Sequence, residues 1–276
     1  MAGALRREAA RLLLSARGGA LSLTPLWPRH AGSQPPALAA LAVAPSPPAC
    51  RRLSTEVDAG RVGASTRGDG TAPRFYKTVG IERDGGTGLW HVMLDGKRVR
   101  TPGRNPLALP NEPLALAVAA EWEWQADRHI RPFTMPLMSL CATATDHTPA
   151  HREFTINELV KFFGRDSACI RSDDVRLGAK QAELLDPLVS HAETLFGARP
   201  VVTDSIFGAD QPPAVLAGAR EALRRADDWE LTGVTAVSAA GKSLVVALGV
   251  WHGLLDVHTA VRAIRTEEDF QVEEWG

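Results

Sequence analysis

KSLVVALGVWHGLLDVHTAVRAIRTEEDFQVEEWG, residues 242–276, holds the reading that decides the fold. The run Leu244–Leu255 is apolar except at Gly249, His252 and Gly253. It is too short to cross a membrane, which takes about 20 apolar residues. It predicts a helix buried on most of its sides. A second helix is expected from about Val257, because Val257, Ala260, Val261 and Ile264 recur at helical spacing. Then the chemistry changes to Glu267, Glu268, Asp269, Glu273 and Glu274, with Phe270 and Trp275 among them. Read as the last turns of that same helix, these carboxylates face the negative end of its dipole, at about 0.3–1 kcal/mol each. Two readings follow. The acids form a solvated face, or the helix presents them to a partner.

Working outward, Gly241-Lys242-Ser243 has the ending of a phosphate-binding loop, but that motif needs a glycine where Ala236 stands. Lys242 is instead expected to cap or border the buried helix. Upstream, Asp228 is expected to cap a helix beginning at Trp229. Pro212-Pro213 predicts a helix to about Ala226, and 181–196 one closed by Gly197. Ala168–Arg171 reads as a short strand or extended link. Phe154, Ile156, Leu159, Val160 and Phe163 suit a helix with imperfect spacing. Residues 151–276 therefore read as a mostly α-helical C-terminal domain.

Residues 74–150 carry a different texture. Phe75–Ile81 suits a strand ended by Asp84-Gly85-Gly86. Trp90, Val92 and Leu94 alternate with His91 and Met93, the period of a strand. Asp95-Gly96 predicts a type I′ hairpin turn, with Lys97–Thr101 as the partner strand and Leu107–Leu109 as one more. Asn111 is a candidate N-cap ahead of Pro113, and Leu114, Val118 and Trp122 then line one helical face. Trp124 lies on another side. A helix over Leu137–Thr145 follows Met135-Pro136. Strands first and helices packed on them predict an α+β fold, a β-rich N-terminal domain before the helical one.

The ends of the chain differ in charge. Residues 1–55 hold seven arginines, no lysine and one acid, with Ala, Ser and Pro in abundance. This is the composition of an organelle transit peptide, with a plain N-terminal tail as the alternative; the early arginines favour mitochondrial over plastid import, and Arg51-Arg52-Leu53-Ser54-Thr55 resembles a processing site. The Gly/Ala/Ser/Asp-rich residues 56–73 read as a linker. Without 1–55 the chain holds 24 basic and 31 acidic residues, a net charge of −7. Such an acidic chain has no basic stripe for nucleic acid, and no stretch calls for membrane insertion. Cys50 is expected to leave with the leader. Cys141 and Cys169 lack the spacing of a zinc site and read as buried thiols.

Catalytic constellations are weak. Pro149 between His147 and His151 disfavours one helical turn holding a metal. Glu121 and Glu123 are two apart and diverge on a helix, and no GxSxG elbow is present. Residues alone stop at a two-domain organelle protein with an acidic, aromatic C-terminal helix.

The ordered part resembles a known family over about 74–276. The marks are Arg74-Phe75-Tyr76-Lys77, Leu94-Asp95-Gly96-Lys97 through Thr101-Pro102, Glu121-Trp122 and Thr134-Met135-Pro136-Leu137. Further along come Asp186-Pro187, Ser205-Ile206-Phe207-Gly208, Trp229-Glu230-Leu231, Lys242-Ser243, Glu267–Gln271 and Trp275-Gly276. Each is weak alone, and their order and spacing are specific. Together they resemble the mitochondrial assembly chaperone of the alpha subunit of F-type ATP synthase. The resemblance implies a non-enzymatic protein of the mitochondrial matrix, monomeric and without cofactor or metal. Such a protein holds free alpha subunit in soluble form until beta subunit replaces it. Exposed apolar interface on an unassembled subunit is an aggregation hazard, so a transient cover makes physical sense. The resemblance places partner binding in the C-terminal helix, with Glu267 or Glu268 as the functional acid; beside them, Phe270 and Trp275 are expected to supply apolar area. Similar proteins continue past Trp275-Gly276 with a short acidic, aromatic tail, which implies a shortened form here. The alternative is a matrix enzyme acting on a small acid or nucleotide.

Overall fold

A computed structural model describes residues 57–58, 70–125 and 129–276. The proposed leader, residues 1–55, lies outside the described residues. Strands β1 (Val57–Asp58), β3 (Val79–Arg83), β4 (Trp90–Leu94) and β5 (Lys97–Arg100) form one sheet in the order β1-β5-β4-β3. β1 runs parallel to β5, and the other pairs are antiparallel. β2 (Ala72–Pro73) and β6 (His129–Ile130) make a separate antiparallel pair.

The hairpin follows its turn chemistry. Asp95 and Gly96 have φ of 48° and 75°, the two left-handed residues that a type I′ turn requires. The preceding strand, β3, starts at Val79, four residues later than expected. The cause is Asp95: its carboxylate accepts hydrogen bonds from the backbone amides of Lys77 and Thr78, so these amides are not spent on a ladder. Strict alternation fails at His91. It is buried because its Nδ1–H reaches the Leu107 carbonyl at 3.0 Å. Leu107–Leu109 forms no strand; Leu109 and Trp90 exchange backbone hydrogen bonds as an isolated bridge.

Helix α1 (Glu112–Glu123) lies against β3 and β4. Asn111 caps it through Leu114 N, and Leu114, Val118 and Trp122 are buried as their spacing predicts. Tyr76 locks this helix to the segment that leads into β3: its hydroxyl donates to the Trp122 carbonyl at 2.6 Å, and its ring meets the indole edge-on. Helix α2 (Pro136–Ala142) is shorter than expected, because Thr143–His147 widens into a π turn. Helix α3 (Thr148–Lys161) continues directly from it, with Pro149 in its first turn, where a missing N–H costs nothing. This helical run crosses position 150, where one domain was expected to end.

The remaining helices are α4 (Val175–Phe196), α5 (Pro213–Arg224), α6 (Asp228–Gly241), α7 (Leu244–Trp251), α8 (Val257–Ile264) and α9 (Thr266–Trp275). α4 starts six residues before the expected Gln181, because Asp174 caps it through Arg176 N and Leu177 N. The cap of α6 is Asp227, one residue before the expected Asp228, in a reciprocal capping box with Glu230. Ser167–Cys169 is a 3-10 turn, and Ile170 then bridges in parallel to Thr203. Gly218 lets α5 close on the end of α4, where a Cβ would lie 2.1 Å from the Phe196 carbonyl oxygen.

Buried apolar side chains fall into two clusters. One runs from Ala72 to Cys141 around the sheet and α1; the other runs from Ile156 to Ala263 among the later helices. α7 sits in the second, with its seven residues from Leu244 to Val250 all buried. Its N-terminus is closed by Asp166, 78 residues upstream. That carboxylate accepts from Leu244 N at 2.6 Å, Val245 N at 3.1 Å and Ala168 N at 2.9 Å. Burial raises the Asp166 pKa above the ordinary aspartate value, against the downward pull of these donors and the Ser243 side chain.

Candidate functional site

The acidic C-terminal segment is a helix of its own. Arg265 leaves helical geometry at φ −100°, ψ 12°, and Thr266 turns its hydroxyl back to the Arg262 and Ala263 carbonyls. α9 then begins, with Glu267, Glu268 and Asp269 in its first turn. The expected dipole penalty is thereby reversed for these three. They lie at the positive end of a new helix, which favours carboxylates. Only Glu273 and Glu274 remain near a C-terminus, and both are neutralised by cations from α4.

α9 lies on α4 through polar contacts, with Thr266 its one buried residue. Along its inner face Gln181 Nε2 donates to Glu267 Oε1 at 2.9 Å, Arg176 pairs with Glu274 at 2.8 Å, and Lys180 pairs with Glu273. Phe270 is half-buried beneath the same two cations, which stand 5.3 Å and 5.4 Å from its ring centroid. The opposite face carries Glu268, Val272 and Trp275 at positions i, i+4 and i+7, all exposed, with Trp275 at 82%. The four residues singled out in the sequence are therefore divided. Glu267 and Phe270 hold the helix in place, and Glu268 and Trp275 face outward.

Between α9 and the α6–α7 junction runs an open groove of about 340 Å³, bordered by Gln181, Gly241, Lys242, Glu267, Glu268 and Gln271. Lys242 also borders a second groove of about 460 Å³ between α3 and α6. Phe154 and Phe162 stand at this second groove, 65% and 60% exposed. The sequence reading did not find it. Its trace was the imperfect spacing of that helix: Ile156, Val160 and Phe163 share the buried face, and Phe154 lies off it.

Other candidate chemistry resolves into structure. Gly241-Lys242-Ser243 follows a helix, not a strand; Lys242 closes α6 in the left-handed conformation, and Ser243 caps α7 through Val246 N. His147 and His151 do come together despite Pro149, with rings stacked 4.1 Å apart, because the kink at His151 redirects the chain. Among the described residues no three His, Cys, Asp or Glu side chains are grouped to hold a metal ion. Glu121 accepts the Leu137 and Met138 amides, each at 2.7 Å, at the start of α2. Burial raises its pKa to about 7. The Cys141 and Cys169 thiols are buried, which pushes their pKa values up, Cys169 to about 12. No helix of the described residues is long and apolar enough to cross a membrane.

Comparison with known proteins agrees with this architecture. The family model for the ATP12 chaperone protein matches residues 73–193, from β2 into α4. The mitochondrial protein atp12 of Schizosaccharomyces pombe is 24% identical over 215 residues, covering 74% of this chain and 73% of that protein. The mitochondrial ATP12 of Saccharomyces cerevisiae is 23% identical over 249 residues, covering 75% and 77%. The crystal structure of Atp12 from Paracoccus denitrificans superposes with a TM-score of 0.65 at 35% identity, over 74% of this chain and 87% of that one. That identity, sustained along most of both chains, shows that this protein belongs to the ATP12 chaperone family.

Proposed function

We propose that this chain is an assembly chaperone of F-type ATP synthase that binds the free alpha subunit, shields its interface and releases it to beta subunit. It acts as a monomer in the mitochondrial matrix, after removal of residues 1–55. The observation that carries the reading is the division of α9. One face is pinned to α4 by Glu267, Phe270, Glu273 and Glu274, while Glu268, Val272 and Trp275 are exposed to solvent. A helix held rigidly by one face and apolar-acidic on the other suits partner recognition, with Trp275 as anchor and Glu268 setting orientation. The family relationship and the mitochondrial relatives support the same assignment. The two carboxylates whose pKa values burial raises, Glu121 and Asp166, are instead spent on backbone amides, which weighs against the enzyme alternative.

The test is capture of isolated alpha subunit by the tagged, purified chain, read as a stoichiometric complex by gel filtration. Capture is expected without turnover. Absence of any complex with soluble alpha subunit would remove the assignment. N-terminal sequencing of the organelle form checks the leader: a first residue between about Leu53 and Gly60 is expected, and an intact Met1 would refute it.

A further inference from the structure

Lys242 stands between two grooves in a backbone conformation that its own side chain disfavours. It ends α6 at φ 53°, ψ 28°, a left-handed position that glycine or asparagine usually fills. A lysine there costs about 1 kcal/mol relative to glycine. Strain of this kind persists where the side chain is used. The side chain is exposed, and neither it nor Arg165, the other cation bordering the larger groove, is matched to a carboxylate among the described residues. Of the two acids on that groove, Glu158 is taken by Lys161 at 3.3 Å, and Asp166 is taken by backbone amides.

The rest of the groove is mainly apolar. Leu159 and Leu244 lie along it, and Phe154 and Phe162 stand largely in solvent. Its deepest carboxylate, Asp166, has its oxygens engaged by the α7 amides. A small-molecule site needs polar groups that converge to fix orientation; the charged groups left unmatched here, among the described residues, are the two cations at the border. Two exposed phenylalanines beside an apolar trough, with two unmatched cations, fit a polypeptide segment that is apolar along one side and carries a carboxylate.

Resting on the assignment above, we propose that the α3–α6 groove is a second docking site for the client. It takes an apolar segment of the alpha subunit on Phe154 and Phe162, and Lys242 receives an acidic residue of that segment. The surface runs on past Lys242 to Glu268 on α9, since Lys242 borders both the larger and the smaller groove. One client spanning both grooves meets apolar, basic and acidic ground in that order.

The experiment compares capture of alpha subunit, freshly diluted from denaturant, by the wild-type full chain, Lys242→Gly and the double variant Phe154→Ser/Phe162→Ser, each with a thermal melt and sedimentation. Lys242→Gly removes the strain, so its melting temperature should equal or exceed wild type, while capture weakens about tenfold, the effect of one hot-spot contact. The phenylalanine variant should stay folded and lose capture to a similar extent. Wild-type strength of capture by both variants would overturn the proposal while leaving the chaperone assignment intact. Failure of wild type to capture alpha subunit would remove both. A wild-type dimer that the phenylalanine changes turn into monomer would assign the groove to a second copy and also overturn it.

Discussion

Gln181 donates from Nε2 to Glu267 Oε1 at 2.9 Å, joining the second turn of α4 to the first turn of α9. This one bond separates two neighbouring acids that look equivalent in sequence. Glu267 is committed to holding α9, and Glu268 is free for a partner. Glu267→Lys should therefore lower the melting temperature by about 2–4 °C, through loss of this bond and of a favourable first-turn charge. Glu268→Lys should change the melt less and weaken alpha-subunit capture more. Thermal melts beside pulldowns of both single variants check this, and equal effects in both assays would return the pair to a simple solvated face.

Trp122 is 2% exposed and stacked edge-on against Tyr76. Trp122→Arg places a guanidinium on the Leu114/Val118 face with no carboxylate to meet it, and an unpaired buried charge is strongly destabilising. Loss of soluble protein is expected, not selective loss of binding. Trp122→Phe is the milder control. The indole Nε1 has no hydrogen-bond partner among the described residues, so only volume is lost, at about 1–2 kcal/mol in a denaturant titration. A soluble Arg variant with an unchanged melt would contradict the burial.

Asp166 joins the loop after α3 to the start of α7 through three backbone amides. Asp166→Ala leaves these buried donors without acceptors, at about 1–3 kcal/mol for each one left unmet. The denaturant midpoint should fall further than for any exposed acid changed to alanine. Asp166→Asn keeps one acceptor oxygen and should fall in between.

Glu121 gives a pH signature. Its folded pKa of about 7 lies above the ordinary glutamate value, chiefly because of burial. The folded chain thus keeps a proton that the unfolded chain releases near pH 4.5. Its contribution is fully present below that pH and is lost as pH rises through 7, with a slope of at most about 1.4 kcal/mol per pH unit. Glu121→Gln should flatten the fall in stability between pH 5 and 7. Parallel slopes for both proteins in urea titrations would show that Glu121 stays ionised in the folded chain.

Much of this protein is legible in its residues, for local reasons. Asp95-Gly96 forms its turn because glycine accepts positive φ freely and aspartate tolerates it; Asn111 caps α1 because its short side chain reaches Leu114 N; Gly197 ends α4 in the left-handed conformation. The burial of α7 follows from a run with no polar face. These outcomes depend on neighbours a few residues away.

What the tertiary structure alone decided involves partners distant in sequence. The start of β3 depends on Asp95, 17 residues from Thr78, whose amide it takes out of the ladder. The acids at 267–269 change from penalised to favoured because the chain restarts a helix at Thr266, a break with no glycine or proline to announce it. Phe270 turns inward because Arg176 and Lys180, more than 80 residues upstream, stand over its ring. Periodicity can say that a helix has two faces. Which face is spent on the fold and which is left for a partner is settled by what the rest of the chain packs against it.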